Sequence, residues 1–234
     1  MDRALKGLRS LVMSGEFEPN KRLPEVAISE RLGLSRTPLR QAMDRLVAEG
    51  LLQRIETGGC RVASFTIEDI HDAIEMRGVV EGTAARLAAE RGADPVLLTE
   101  GERILDALDQ ALSRAGGMDF DAYVQLNAQF HDLLARLPGS PLIEREVRRV
   151  SRLPLASPSS FLQEQEVVPD FQASLMRAQS QHRAILAAIR SREGARAEAL
   201  AREHARLARI NLEHLSKADP SVTRRVPGLS LVSG

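Results

Sequence analysis

Cysteine is almost absent from this 234-residue chain: its one thiol, Cys60, has no partner for an internal disulfide and no second sulfur for a cysteine-based zinc site. Tryptophan is missing and aromatic residues make up 3%, too few for the stacking platforms that hold single-stranded nucleic acid. No apolar run approaches the length of about 20 residues that a membrane span needs. Met1–Gly15 alternates charged with apolar residues instead of following an export-signal pattern. The expectation is therefore a cytoplasmic protein with no membrane partner. An excess of charge is lacking too, since 32 Lys and Arg face 32 Asp and Glu, which argues against indiscriminate coating of nucleic acid. The balance is uneven along the chain, however. Residues 1–65 hold eleven basic and eight acidic side chains, a net of +3 that the remainder cancels, so a polyanionic partner is expected at the N-terminal end.

What is present divides the chain into two parts, consistent with its length. Leu5, Leu8, Leu11 and Val12 fall at helical spacing before Gly15 and Pro19. A second helix starts near Pro24 and runs through Val26, Ala27, Ile28 and Leu32 to Gly33, a residue able to turn the chain sharply. Ser35 is a natural N-cap for a third helix with apolar Leu39, Met43, Leu46 and Val47, closing at Gly50. The period then changes, and Leu51–Ile55 and Cys60–Ala63 flank Thr57-Gly58-Gly59 as two short strands around a glycine turn. Three helices with a tight turn before the third, followed by a two-stranded ribbon, describe a winged helix-turn-helix over residues 1–65.

From Thr66-Ile-Glu-Asp, a capping-box pattern, the chain reads as helix to residue 92, then at about 95–114, 118–136, 140–153, 171–191 and 194–215. Gly116-Gly117, Pro138-Gly139, a Pro/Ser-rich stretch at 154–169 and Gly194 punctuate the helices. The expected fold is mainly α, an N-terminal winged helix-turn-helix plus a C-terminal six-helix antiparallel bundle over 66–215. Residues 216–234 lack periodicity and are expected to form a disordered tail.

Ser35, Arg36, Thr37 and Arg40 occupy the start of the third helix, the end that enters a major groove in this motif. Arg36 and Arg40 are four apart and share a face, so one can take guanine O6 and N7 while the other, or Thr37, holds phosphate. The alternative is a solvated basic helix face. Gly59 at the wing tip either lets backbone approach a phosphate or simply serves a turn that needs positive φ. In the bundle, Asn127 and His131 stand one turn apart on one helix, and His182 and His204 come from two later helices. Three imidazoles converging inside a bundle can bind a divalent transition metal, while each taken singly reads as a hydrogen-bonded histidine. His71 and His214 read as surface residues. Arg77 either pairs with Glu81, four residues on, or meets a carboxylate ligand, and Arg148, Arg149 and Arg152 offer the same choice.

The runs Gly15-Glu-Phe-Glu-Pro-Asn-Lys-Arg-Leu-Pro-Glu, Leu32-Gly-Leu-Ser-Arg-Thr-Pro-Leu-Arg-Gln-Ala-Met, Leu46-Val-Ala-Glu-Gly-Leu-Leu and Gly59-Cys-Arg-Val resemble the DNA-binding domain of GntR-family bacterial transcription regulators. Gln41 stands where that family usually has Glu, and Val26 where some members carry Arg. Behind this domain, Glu75-Met-Arg77, Glu81, Asn127-Ala-Gln-Phe-His131, Gln181-His182 and Glu203-His204 are similar to the FCD ligand-binding domain of the FadR subfamily, and six helices rather than seven resemble its VanR-like branch. One small reading head with few base contacts cannot supply the affinity of specific regulation, so a homodimer on a palindromic double-stranded operator is expected. The resemblance implies a divalent metal, zinc, nickel or manganese by availability, on Asn127, His131, His182 and His204, and a small carboxylate effector that Arg77 helps to hold. Asn127, where many members have Asp, leaves the site one negative charge short. The rival reading is a metal-dependent enzyme with a three-histidine site, although neither His-Glu-x-x-His nor Gly-x-Ser-x-Gly occurs on the relevant helices. A helical interaction protein without metal or DNA is a third.

Overall fold

A computed structural model describes residues 2–113, 117–153, 156–158, 171–216 and 228–232. The first part is built from α1 (Asp2–Met13), α2 (Glu25–Leu32) and α3 (Arg36–Ala48), followed by strands β1 (Leu52–Arg54) and β2 (Cys60–Val62). Gly33 ends α2 in the left-handed region at φ 61°, ψ 39°, and the chain turns there into Ser35, the N-cap of α3. The strands pair antiparallel with Leu52 opposite Val62 and Arg54 opposite Cys60, so Leu52, Cys60 and Val62 face inward while Gln53 and Arg61 face out. Leu8, Val12, Ile28, Leu39, Met43 and Leu46 close the core of this head from the helical side.

The second part comprises α4 (Ile67–Arg91), α5 (Pro95–Leu112), α6 (Phe120–Arg136), α7 (Pro141–Val150), α8 (Phe171–Arg190) and α9 (Gly194–Ser216). Its entry is fixed by the capping box: Thr66 Oγ1 accepts from the Asp69 amide at 3.1 Å and Asp69 Oδ2 accepts from the Thr66 amide at 2.8 Å. Small residues then set the closest helix pair. A Cβ on Gly78 would lie 3.0 Å from the Ala205 Cβ, and one on Gly82 would lie 3.1 Å from the Glu198 carbonyl, so α4 and α9 pack nearly backbone to backbone. That approach brings Arg77 of α4 beside His204 of α9. Phe130, Leu133 and Leu134 of α6, Leu105 and Leu108 of α5, and Ile185 and Ile189 of α8 form the main core.

The chain's end departs from the expected tail. Residues 217–227 lie outside the described ones, but Gly228–Val232 return to the junction of head and bundle, where Leu229 and Leu231 are buried in a 3-10 turn. Two leucines with apolar surface to bury give this segment a reason to pack that its lack of periodicity hid. Most of the Pro/Ser-rich stretch at 154–169 also lies outside the described residues.

Candidate metal centre and nucleic-acid interface

His131 of α6, His182 of α8 and His204 of α9 converge in the bundle, each buried. His182 Nε2 lies 2.9 Å from His204 Nε2, which lies 3.3 Å from His131 Nε2. The opposite ring nitrogens all face acceptors. His131 Nδ1 is 3.0 Å from Glu81 Oε1, His182 Nδ1 is 3.2 Å from Gln179 Oε1, and His204 Nδ1 is 3.1 Å from Gln181 Oε1. The orientation of the Gln179 amide follows from its other end, whose nitrogen donates to the Leu105 carbonyl at 2.9 Å and to Asp109 Oδ1 at 2.8 Å. Its oxygen therefore meets His182, which must donate from Nδ1. The ionised Glu81 carboxylate likewise accepts from His131 Nδ1. Burial pushes the Glu81 carboxyl up, but the charges of His131 and Arg77 and the His131 hydrogen bond outweigh it and hold the group below its ordinary range.

With Nδ1 protonated, a neutral imidazole presents a bare lone pair at Nε2. Desolvation drives the pKa values of His182 and His204 well below the usual 6.5, with the neighbouring histidines adding to the effect, so both rings are neutral. His182 and His204 thus turn Nε2 lone pairs toward each other in a buried site, with His131 Nε2 beside the second. That arrangement is repulsive by itself and is relieved by a cation between them, and the outward Nδ1 bonds are the supports that orient histidine ligands. The donor set fits a divalent transition metal. Gln179 and the link from Glu81 to His131 were not found from the sequence. The spacing of Gln179, three residues before His182 on the same helix face, was the available signal.

Asn127 is buried one turn before His131, and its amide nitrogen donates to the Pro158 carbonyl at 3.5 Å. Arg77 is 2% exposed. Its guanidinium donates to the carbonyls of Ala156 at 2.7 Å and Ala205 at 3.3 Å, and its Nε is 3.7 Å from Glu81 Oε2. Both alternatives weighed for Arg77 thus remain in view: it pairs with Glu81, and it lines a cavity of about 30 Å³ with Tyr123, Asn127 and His204. That inner space has room for water but not for an organic acid. A second cavity of about 410 Å³ adjoins His131 and is lined by Asp132, Arg148, Ser151, Arg152 and Pro158. Arg148 is held there by Asp132 and Glu144, both at 2.9 Å. Arg149 pairs with Glu146 instead. His71, expected at the surface, is half-buried on α4, and its Nε2 has no hydrogen-bond partner among the described residues. The His214 side chain lies outside the described residues.

In the head, Ser35, Arg36, Thr37 and Arg40 are all exposed at the start of α3. Arg40 lies 3.6 Å from Glu25 of α2, an exposed pair that costs little to open. Gly59 has φ +84° and is partly covered, since a Cβ there would meet the Arg22 and Glu25 side chains at 3.3 Å. The open tip of the wing is Gly58, at φ +91° with nothing near it. Arg22 and the outward Arg61 flank this turn as cations that the sequence reading did not single out. Val26, where some members of the resembled family carry Arg, is 62% exposed on the same part of the head.

Two family descriptions match this chain: "Bacterial regulatory proteins, gntR family" over residues 2–62 and "FCD domain" over residues 72–207, the latter more than half of the chain. The uncharacterized HTH-type transcriptional regulator YdhC of Bacillus subtilis is 31% identical over 127 residues, covering 54% of this chain and 55% of that protein. The Nta operon transcriptional regulator of Aminobacter aminovorans is 30% identical over 141 residues, 60% of this chain and 65% of that one. These alignments span only about half to two thirds of the two relatives. The HTH-type transcriptional repressor GlaR of Escherichia coli is 28% identical over 202 residues, covering 84% of this chain and 88% of its own. Among solved structures, E. coli McbR/YncC superposes with a TM-score of 0.64 at 20% identity over 90% of this chain and 93% of that chain, a likeness of fold.

Proposed function

The chain belongs to the gntR family of bacterial regulatory proteins and carries an FCD domain behind its DNA-binding head; on that premise, we propose that it is a ligand-responsive transcription regulator whose affinity for a palindromic operator is set by a small carboxylate bound at a divalent metal in the bundle. The observation that carries this reading is the convergence of the buried Nε2 atoms of His131, His182 and His204, each ring oriented by an acceptor at Nδ1. Its relatives are named as transcription regulators, which sets the enzyme reading aside.

A bound zinc, nickel or manganese ion supplies Lewis-acidic positions on which a carboxylate oxygen can land. The chain's own residues do the rest. Glu81, Gln179 and Gln181 hold the imidazoles in the ligating tautomer, and Asn127, whose amide nitrogen is engaged by Pro158, offers its oxygen as a neutral fourth ligand. The cavity of about 410 Å³ beside His131 is of ligand size, and its Arg148 and Arg152 match a second charge on the effector. A carboxylate that reaches Arg77 replaces the Ala156 carbonyl on Nη1, exchanging a neutral acceptor for a charged one. In the head, Arg36 and Arg40 read bases while Ser35, Thr37 and the backbone at Gly59 hold phosphates. One small head makes too few base contacts for specific control, which favours a homodimer, joined through the bundle, on two half-sites. No helix among the described residues is long and apolar enough to cross a membrane, in keeping with a site of action on cytoplasmic DNA.

Operator selection from random duplex, followed by binding titrations with and without zinc and a panel of small organic acids, tests the reading. A palindromic site with salt-dependent affinity that shifts on adding an acid only when metal is present supports it. Recovery of no preferred sequence, or an acid response indifferent to metal removal, contradicts it.

A further inference from the structure

The geometry points to the C-terminal segment Gly228–Val232 as a working part of the DNA-binding head and as the clasp that ties the head to the bundle. This inference concerns the join between the two parts and stands whether or not the bundle binds metal.

Three contacts seat the segment. The Gly228 amide donates to the Met13 carbonyl at 2.8 Å, taking up one of the carbonyls left over at the end of α1. The Phe65 amide, in the link between wing and bundle, donates to the Leu231 carbonyl at 2.9 Å, and Phe65 forms a parallel bridge with Val232. Ser230 lies over Gly15, where a Cβ would come within 2.6 Å of its hydroxyl, so the turn after α1 has no room for a larger residue while the segment is in place. Gly228 itself sits at φ +88°, a conformation that suits glycine.

The two leucines go to different places. Leu231 is 0% exposed and belongs to the head's core with Leu8, Val12 and Cys60. Leu229 packs instead with Ile70 and Ile74 of α4 and Leu212 of α9. One short segment is therefore shared by both hydrophobic clusters, and it reaches the head from α9, the helix that carries His204. Among the described residues, the wing strand continues into the bundle only through Ala63–Thr66, and the clasp is a second tether laid between that link and the end of α1. Two tethers restrict rotation of the head where one permits it. A shift of α9 is then transmitted to α1 through Leu212, Leu229 and Leu231.

Cys60, the single thiol, is buried at 2% in the cluster that Leu231 completes, so its reaction with a thiol reagent under native conditions reports opening of the head. In the full chain, Leu231→Asp, or a stop codon in place of Gly228, is expected to raise the labelling rate about 10- to 100-fold, and Leu231→Ala by less, with the helical signal kept. The unaltered protein provides a second readout that does not depend on any variant folding: the Phe65 amide and the 228–232 peptide should be protected from hydrogen exchange. Wild-type labelling rates in the truncated chain, or full exchange of 228–232 within seconds in the unaltered protein, would overturn the inference.

Discussion

Glu81→Gln removes one charge from a buried pair and leaves the other. Glu81 is fully buried, Arg77 is 2% exposed, and the Nε to Oε2 separation is 3.7 Å. At an effective dielectric constant of about 20, two unit charges at that distance attract by about 4.5 kcal/mol. Removing one partner of a buried pair costs about 3–5 kcal/mol in general, because the survivor stays desolvated. The two routes agree, and a loss of about 3–5 kcal/mol corresponds to a fall in Tm of roughly 6–20 °C for a bundle of this size. Arg77 keeps its carbonyl acceptors on Ala156 and Ala205, so the fold should survive. Denaturant unfolding of metal-stripped Glu81→Gln, Arg77→Met and the double variant supplies the cycle, with a coupling of about 2–3 kcal/mol expected. Metal-loaded Glu81→Gln should bind its ion about 10- to 100-fold more weakly, since the support on His131 Nδ1 changes from carboxylate to amide. A single-variant loss below about 1 kcal/mol with no coupling would refute the reasoning, because it would mean the pair is effectively hydrated.

Arg40→Ala should cost about 1–3 kcal/mol on the selected operator and relax preference at one base pair; a uniform loss on all sequences would make it a phosphate contact, and no loss would displace α3 from the groove. Metal-stripped protein should lose stability as pH falls. Unfolded histidines take up protons near about 6.5, whereas folded His182 and His204 do so only well below it, so the unfolded state gains protons first, at up to about 2.7 kcal/mol per pH unit for two groups. The slope below about pH 6.5 should shrink in a His182→Ala, His204→Ala double variant, and an unchanged slope would count against the buried neutral rings. Thr66→Ala, which removes the cap of α4, should lower stability by about 0.5–2 kcal/mol in thermal or denaturant unfolding. Sedimentation at micromolar concentration should give a dimer; a monomer that stays so on operator DNA would remove the two-half-site scheme.

Periodicity and punctuation carried most of the fold. Gly33 and Ser35 marked the turn before α3, Thr66 and Asp69 marked the start of α4, and the helices of the bundle lie within a few residues of where apolar spacing placed them. The convergence of His131, His182 and His204 followed from a resemblance to a known domain, because spacing alone cannot say which faces of three separate helices meet. What stayed hidden depended on tertiary neighbours. Gln179 takes its meaning from Leu105 and Asp109 on another helix, and Glu81 from an imidazole fifty residues away. The wing's open tip is Gly58 rather than Gly59 only because Arg22 and Glu25 fold over the latter. Leu229 and Leu231 sit too close to the chain's end for any periodic signal, and only the two cores they complete reveal them.

Calorimetric titration of chelator-stripped protein with zinc, checked by elemental analysis after dialysis, tests the central claim most directly. The three converging Nε2 atoms predict uptake of one ion per chain in the wild type, and loss of that uptake in His182→Ala and in His204→Ala. Wild-type protein that takes up no ion, or variants that bind zinc as the wild type does, would contradict it.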